Sequence, residues 1–178
     1  MRLLFPLLCF ISLCLHAQTD KSPRTHEIGV RLNGLDDFNL MYKTSIGEDT
    51  YRRYRLLLTE IDLVTTDGNN AGTFSFGGSI GKERRSDVAE KLQFNRGPEL
   101  FASVLAVGTD DDFRLQLRPG FGYVLGLQYN LSDQFYVGLE TIPSVTLRID
   151  PGDPVTVGVN AGFNSTAVSL LALYRFTR

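Results

Sequence analysis

The sequence predicts an all-β chain, an eight-stranded antiparallel up-and-down transmembrane β-barrel, and three observations predict it. The first is the stretch FRLQLRPGFGYVLGLQY, Phe113 to Tyr129. Phe113, Leu115, Leu117, Pro119, Phe121, Tyr123, Leu125, Leu127 and Tyr129 are apolar, proline or aromatic, and every position between them except Val124 is polar, charged or glycine. Soluble strands usually stop near five or six residues; seventeen, tilted as in a barrel, rise on the order of 40 Å, the depth of a bilayer with its headgroups. The second is that alternation at period two recurs throughout the chain after residue 17, with no convincing helical period. The third is a series of turn signals, NGLDD, GED, TDGNNAG, RRSDVAEK, GTDDD, LSDQ and the long DPGDPVTVGVNAGFNST, that cuts the chain into a meander.

Eight strands follow in order. Glu27 to Gly34 sets Ile28, Val30 and Leu32 against Glu27, Arg31 and Asn33. Phe38 to Ile46 sets Phe38, Leu40, Tyr42 and Ile46 against Asn39, Met41, Lys43 and Ser45. Tyr51 to Val64 sets Tyr54, Leu56 and Leu58 against Arg53, Arg55 and Leu57, then slips phase at Glu60 and Ile61, which predicts a bulge or the strand's exit from the membrane. Thr73 to Glu83 opposes Phe74, Phe76 and Ile80 to Ser75, Gly77 and Ser79, and Leu92 to Val107 opposes Pro98, Leu100, Ala102 and Val104 to Gly97, Glu99 and Ser103. Pro98 and Pro119 each remove a ladder donor, so their strands are expected to be less regular than the pattern. The sixth strand is Phe113 to Tyr129. The seventh, Gln134 to Asp150, repeats its logic, and the eighth alternates Val168, Leu170, Ala172, Tyr174 and Phe176 with Ser169, Leu171, Leu173 and Arg175.

Alternation allows two opposite objects, a soluble lipocalin-like barrel with the apolar set inside around a ligand, or a membrane barrel with that set against lipid. Volume favours the membrane. Eight strands enclose just enough room for side chains, and the sixth and seventh strands alone would bring more than a dozen bulky apolar groups. The glycines agree, since Gly77, Gly120, Gly122, Gly126 and Gly138 fall on the polar face, where a crowded lumen needs small residues and an open exterior would only be weakened by them. The soluble secreted barrel binding an apolar ligand stays open as an alternative.

Residues 1–17, MRLLFPLLCFISLCLHA, carry Arg2, an apolar run from Leu3 to Leu15, and Ala17 before a polar stretch, the three-part design of a secretory signal. The expected division is a signal peptide over 1–17 and a barrel domain over 18–178. Cys9 and Cys14 both lie in the signal, so no disulfide is expected beyond it. With Arg2 removed, the 18 Lys and Arg become 17 against 20 Asp and Glu, which gives no support for nucleic-acid binding.

The inward set contains Glu27, Arg31, Lys43, Arg53, Arg55, Glu99, Arg114, Arg118, Glu140 and Arg148. Charges in a narrow lumen must pair or stay hydrated, so these ten are expected to form a salt-bridge network that plugs the barrel; a narrow ion path is the sharper alternative. Asp36 with Asp37, Asp110 to Asp112, and Asp150 with Asp153 make the loops acidic, but no twelve-residue calcium loop is present, and solvated turns are expected in place of a metal site. The glycines of GFGYVLG do not make a dinucleotide fingerprint. No cofactor is expected.

The closing strand, AVSLLALYRFTR, with alternating apolar residues and the near-terminal aromatics Tyr174 and Phe176, together with the eight-strand meander, resembles the small eight-stranded outer-membrane barrels of Gram-negative bacteria, the group of outer-membrane proteins A and X. The resemblance implies insertion in the outer membrane as a monomer among outer-membrane lipid and lipopolysaccharide, short periplasmic turns, and longer outward loops, chiefly Asp150 to Thr166. It also implies an assembly signal at Tyr174 and Phe176 read by the barrel-assembly machinery, and a periplasmic aromatic girdle of Tyr51, Phe94, Tyr129, Phe135, Tyr174 and Phe176. The implied function is a non-enzymatic envelope or surface-interaction role. Some barrels of this size modify lipid A, and such hydrolysis or acyl transfer generally uses a histidine base. After the signal only His26 remains, at the start of the first strand, so catalysis is not expected.

Overall fold

The structure, a computed structural model, describes residues 24–33, 38–66, 69–109, 113–152, 154–162 and 168–178, with 58–66, 69–71 and 109 described by their backbone alone. The expected signal at 1–17 and the aspartates at 36, 37, 110–112 and 153 lie outside the described residues. The described chain is entirely β: β1 Thr25–Leu32, β2 Phe38–Ser45, β3 Thr50–Thr66, β4 Asn69–Ala89, β5 Leu92–Thr109, β6 Phe113–Asn130, β7 Phe135–Thr141, β8 Ser144–Asp150, β9 Thr156–Gly162 and β10 Ser169–Thr177.

These ten segments make eight walls. Strands β1 to β7 pair in sequence, β7 pairs β10, and β10 pairs β1, so the antiparallel sheet closes on itself. At the closure Arg24 and Arg178 exchange backbone hydrogen bonds of 3.1 and 3.2 Å. The expected single seventh strand, Gln134 to Asp150, is broken at Ile142 and Pro143. Its halves β7 and β8 both pair β6, in a register that carries through the break from Leu125 opposite Thr141 to Gly122 opposite Ser144. The cause is Pro143, which has no N–H for the ladder, although its carbonyl still accepts from Tyr123 N at 3.0 Å.

Three expected loops are corrected. The Asp150 to Thr166 stretch contains β9, which folds back on β8 from Asp150 opposite Thr156 to Ser144 opposite Gly162. RRSDVAEK is mostly β4, and its turn shrinks to Glu90 and Lys91; TDGNNAG is mostly the ends of β3 and β4. In each case the polar residues sit where strands leave the membrane, so turn-like composition marks the water boundary and not the end of pairing. The phase slip in the third strand is a bulge: the β3–β4 register shifts between Leu58 and Glu60. The β4–β5 ladder is interrupted beside Gly97 and Pro98, between the pairs Gly81–Glu99 and Arg84–Arg96, as the missing proline donor requires.

The walls are unequal. β1 and β2 hold 8 residues each, whereas β3 to β6 hold 17 to 21. Among the described residues, the part of β3 beyond Leu58 pairs only β4, and β9 pairs only β8. The barrel is therefore closed all round in the half near the termini and extended on one side beyond it.

Candidate functional site

Alternation sorts the side chains by solvent. Phe121 and Leu170, both 48% exposed, stand on the exterior with Ile28, Leu40, Phe76, Ile80, Leu100 and Leu139, while Glu27, Lys43, Arg53, Glu83, Glu99 and Glu140 are fully or almost fully buried inside. A soluble protein places these two sets the other way round. The exterior is the face hydrocarbon wets.

Inside, one continuous network crosses the lumen. Glu27 accepts two hydrogen bonds from the Arg85 fork at 2.8 and 2.6 Å, one from the Tyr136 hydroxyl at 2.7 Å and one from Arg175 Nε at 2.9 Å. Arg85 also reaches back to Glu83 from Nε at 3.0 Å, and its guanidinium lies 3.7 Å from the centre of the Tyr51 ring. Glu83 accepts from Lys43 Nζ at 2.7 Å and Arg53 Nη1 at 3.2 Å. Arg53 then grips Glu140 with both terminal nitrogens, at 2.7 and 2.9 Å, and holds Glu99 in an ion pair through Nε at 2.8 Å. Arg55 completes Glu99, and Arg31 pairs Glu140 at 3.1 Å. Four glutamates therefore hold six cations, and each glutamate has at least two.

Beside the network the buried Met41, Tyr136, Leu171 and Leu173 form an apolar patch. It reaches that close because of Gly29, opposite Leu173 and Met41 in register: a Cβ there would meet the backbone of Ala172 and the Leu173 side chain. Toward the turns, Asn95 donates to Gln128 at 3.2 Å, and Gln128 donates to Gln93 and Asn130 at 3.2 and 2.9 Å.

Of the ten charges expected to line the lumen, the structure brings together Glu27, Arg31, Lys43, Arg53, Arg55, Glu99 and Glu140. It does not bring in the other three. Arg118 stands apart, donating to Gln116; Arg148 is 3.7 Å from Asp150 with its side chain 57% exposed; and Arg114 is exposed near the far end of β6. These three lie where the wall is incomplete, so water reaches them. Sequence reasoning missed Glu83, Arg85, Tyr136 and Arg175. Glu83 and Arg85 continue the inward odd phase of Ser75, Gly77 and Ser79; reading Arg84 to Lys91 as a turn hid Arg85, and Glu83, the last residue of the expected strand, was passed over although its phase is inward. Tyr51 shares the inward phase of Arg53 and is buried beneath Arg85, so it is no part of an exterior girdle.

The aromatics at the terminal end of the exterior are stacked: His26 on Phe176 at 5.5 Å and on Tyr42 at 6.0 Å, Tyr42 on Tyr54 at 6.1 Å, and Tyr174 on Phe176 at 6.4 Å between ring centres. His26 Nδ1 lies 2.7 Å from the Tyr42 hydroxyl, on the outside of the barrel and away from the buried carboxylates. No cluster of three or more His, Cys, Asp or Glu that could hold a metal ion occurs among the described residues.

No protein-family model and no curated sequence matches the chain. Solved structures do. A major outer membrane protein from Thermus thermophilus superposes with a TM-score of 0.52 at 10% identity, over 86% of this chain and 99% of that one. The fold is that of the small outer-membrane barrels. Ail, the attachment invasion locus protein of Yersinia pestis, matches with a TM-score of 0.47 at 16% identity over 88% of this chain and 100% of its own. Neisserial surface protein A gives 0.43 at 15% identity over 86% and 93%. With its closed antiparallel wall, apolar exterior and charged interior, the chain is a transmembrane β-barrel of the outer-membrane kind.

Proposed function

We propose that this chain is a non-enzymatic integral barrel of the Gram-negative outer membrane, with its lumen sealed by the ion-pair network and its work done as a fixed envelope element that presents loops to the outside. The observation that carries the reading is Arg53. It is 0% exposed and joined to Glu83, Glu99 and Glu140, which stand on three other strands, so it sits across the cross-section and not against one wall. A hydrated ion passing that level would have to break charge-assisted bonds that water cannot replace at equal strength in a narrow lumen.

The remaining parts fit. His26 is engaged in an exterior aromatic stack remote from any carboxylate pair, which supports a role in the girdle and not as a general base. Tyr174 and Phe176, exposed on the outside of the last strand, stand where assembly machinery could read them. With the termini in the periplasm, the turns at 46–49, 90–91 and 131–134 face inward and the extended walls face out.

Planar-bilayer recording tests the seal. The protein reconstituted at low density should show no stable conductance steps, and replacing Arg53 together with Glu83 by alanine should produce them. Steady ohmic steps from the unaltered protein would refute the plug and favour the narrow ion path.

A further inference from the structure

Beyond the network, at the end away from the termini, the lumen opens into a cavity of about 670 Å³. Arg31, Arg55, Arg118 and Arg148 line it, and among the described residues that line it there is no carboxylate. Two of the four guanidiniums are anchored from below, Arg31 on Glu140 and Arg55 on Glu99. Arg118 donates to the neutral Gln116 amide oxygen, and Arg148 has a loose, exposed pairing with Asp150. The network beneath holds six cations against four carboxylates, and its surplus of two corresponds to Arg31 and Arg55, the members that line the cavity. One further side chain is out of balance: Asn39, 1% exposed and facing the cavity, makes no hydrogen bond through either its amide nitrogen or its amide oxygen. A buried amide left without partners costs free energy unless something entering the site satisfies it.

We propose that this cup binds a phosphoryl group, a tetrahedral dianion carried on a larger polar molecule. The cations come from β1, β3, β6 and β8 and so converge from opposite walls. A phosphoryl dianion carries up to twice the charge of a carboxylate and sets three acceptor oxygens out of one plane, so it matches several cations converging from opposite walls better than a planar monoanion does. Ser103, Ser144, Thr146 and Asn160 add neutral hydrogen-bonding groups around the rim. The cavity is many times the size of a phosphate ion, which leaves room for a sugar to which the group is attached. On the outer-membrane reading proposed above, the source of such a group is the phosphorylated disaccharide headgroup of the outer-leaflet glycolipid; free phosphate shares the chemistry.

Titration calorimetry on the full-length barrel refolded in a phosphate-free maltoside detergent tests the site without relying on its location in a cell. The two probes are inorganic phosphate and diglucosamine 1,4′-bisphosphate without acyl chains. Saturable binding is expected, weakened about tenfold or more by the double variant Arg118→Gln with Arg148→Gln, since each removes a charge-assisted contact, and unchanged by Arg52→Gln on the exterior. Neither Arg118 nor Arg148 belongs to the network, so folded gel mobility should be retained; Asn39→Ala provides a second variant that leaves net charge intact and should weaken binding several-fold. Binding of the disaccharide alone identifies the glycolipid as the source, and equal binding of both probes identifies a soluble anion site; either upholds the cup. No saturable binding of either probe, or binding indifferent to Arg118 and Arg148, overturns it. Failure of the bilayer experiment would leave this result standing, because the two read different levels of the lumen.

Discussion

Replacing Arg53 by methionine removes the cation that joins three glutamates. Four contacts disappear: two to Glu140 at 2.7 and 2.9 Å, one to Glu83 at 3.2 Å and one to Glu99 at 2.8 Å. Their loss does not add as four independent bonds, because each carboxylate keeps another partner. Glu83 retains Lys43 and Arg85, Glu99 retains Arg55, and Glu140 retains Arg31. What remains is one under-compensated buried carboxylate, Glu140, and a broken link between the halves of the network, and breaking a buried pair of this kind costs about 3–5 kcal/mol. Urea unfolding, followed by far-ultraviolet circular dichroism and by the gel shift between folded and unfolded barrel, measures it without screening the charges. For a urea dependence of about 2 kcal/mol per molar, the midpoint should fall by roughly 1.5–2.5 M. Arg53→Lys keeps the charge but cannot span three carboxylates from one nitrogen and should fall between. Adding Glu140→Gln to Arg53→Met should recover part of the loss, with a coupling of about 1 kcal/mol or more. A loss under about 1 kcal/mol for Arg53→Met, with no coupling to Glu140, would mean that the charges are hydrated and that the network does not hold the lumen shut.

Gly29→Ala should destabilise the closure seam by about 1–3 kcal/mol, since the new methyl meets the backbone of Ala172. Gly78→Ala, on the exterior with its nearest neighbour, the Arg55 carbonyl oxygen, at 3.5 Å, should be close to neutral in the same unfolding assay; equal effects at both sites would contradict the seam geometry. Leu100→Arg, on the exterior of β5, should cost about 2–4 kcal/mol in lipid vesicles. A substitution that is neutral in vesicles would show that water and not hydrocarbon meets this face.

The fold was legible because a barrel in lipid obeys a strict two-residue rule on both faces, and a single long strand such as β6 displays it with little interference. The bulge in β3 could be read too, since the phase slip near Glu60 is itself the signal, whereas the register shift between Asp87 and Ala89 lay inside a stretch read as a turn. What resisted reading were the places where composition serves water and pairing at once. Arg84 to Ala89 has a turn's polarity yet continues β4 in the wall, which hid Arg85, one of the two cations that hold Glu27. Pairing within the lumen could not be read at all: Glu27 and Arg85 lie 58 residues apart and Arg53 and Glu140 lie 87 apart, and their meeting depends on which strands face each other across a closed wall.

The unequal walls account for the division of the lumen. β1 and β2, with 8 residues each, rise only on the order of 20 Å when tilted as barrel strands are, so the lumen is enclosed all round for about that height. Within it, the four glutamates are cut off from water and must be paired, and there they stand with their six cations. Above it the wall passes from β3 to β9 without closing, water enters, and the pairing requirement lapses; the inward positions become Ser103, Ser144, Thr146, Asn160 and arginines without buried carboxylates. Lengthening β1 and β2 would extend the enclosed zone over Arg118 and Arg148 and bury two cations with only the loosely paired Asp150 to receive them. The short first hairpin and the basic cup are therefore one feature: the charge surplus can be carried only because the chain stops closing the barrel beneath it.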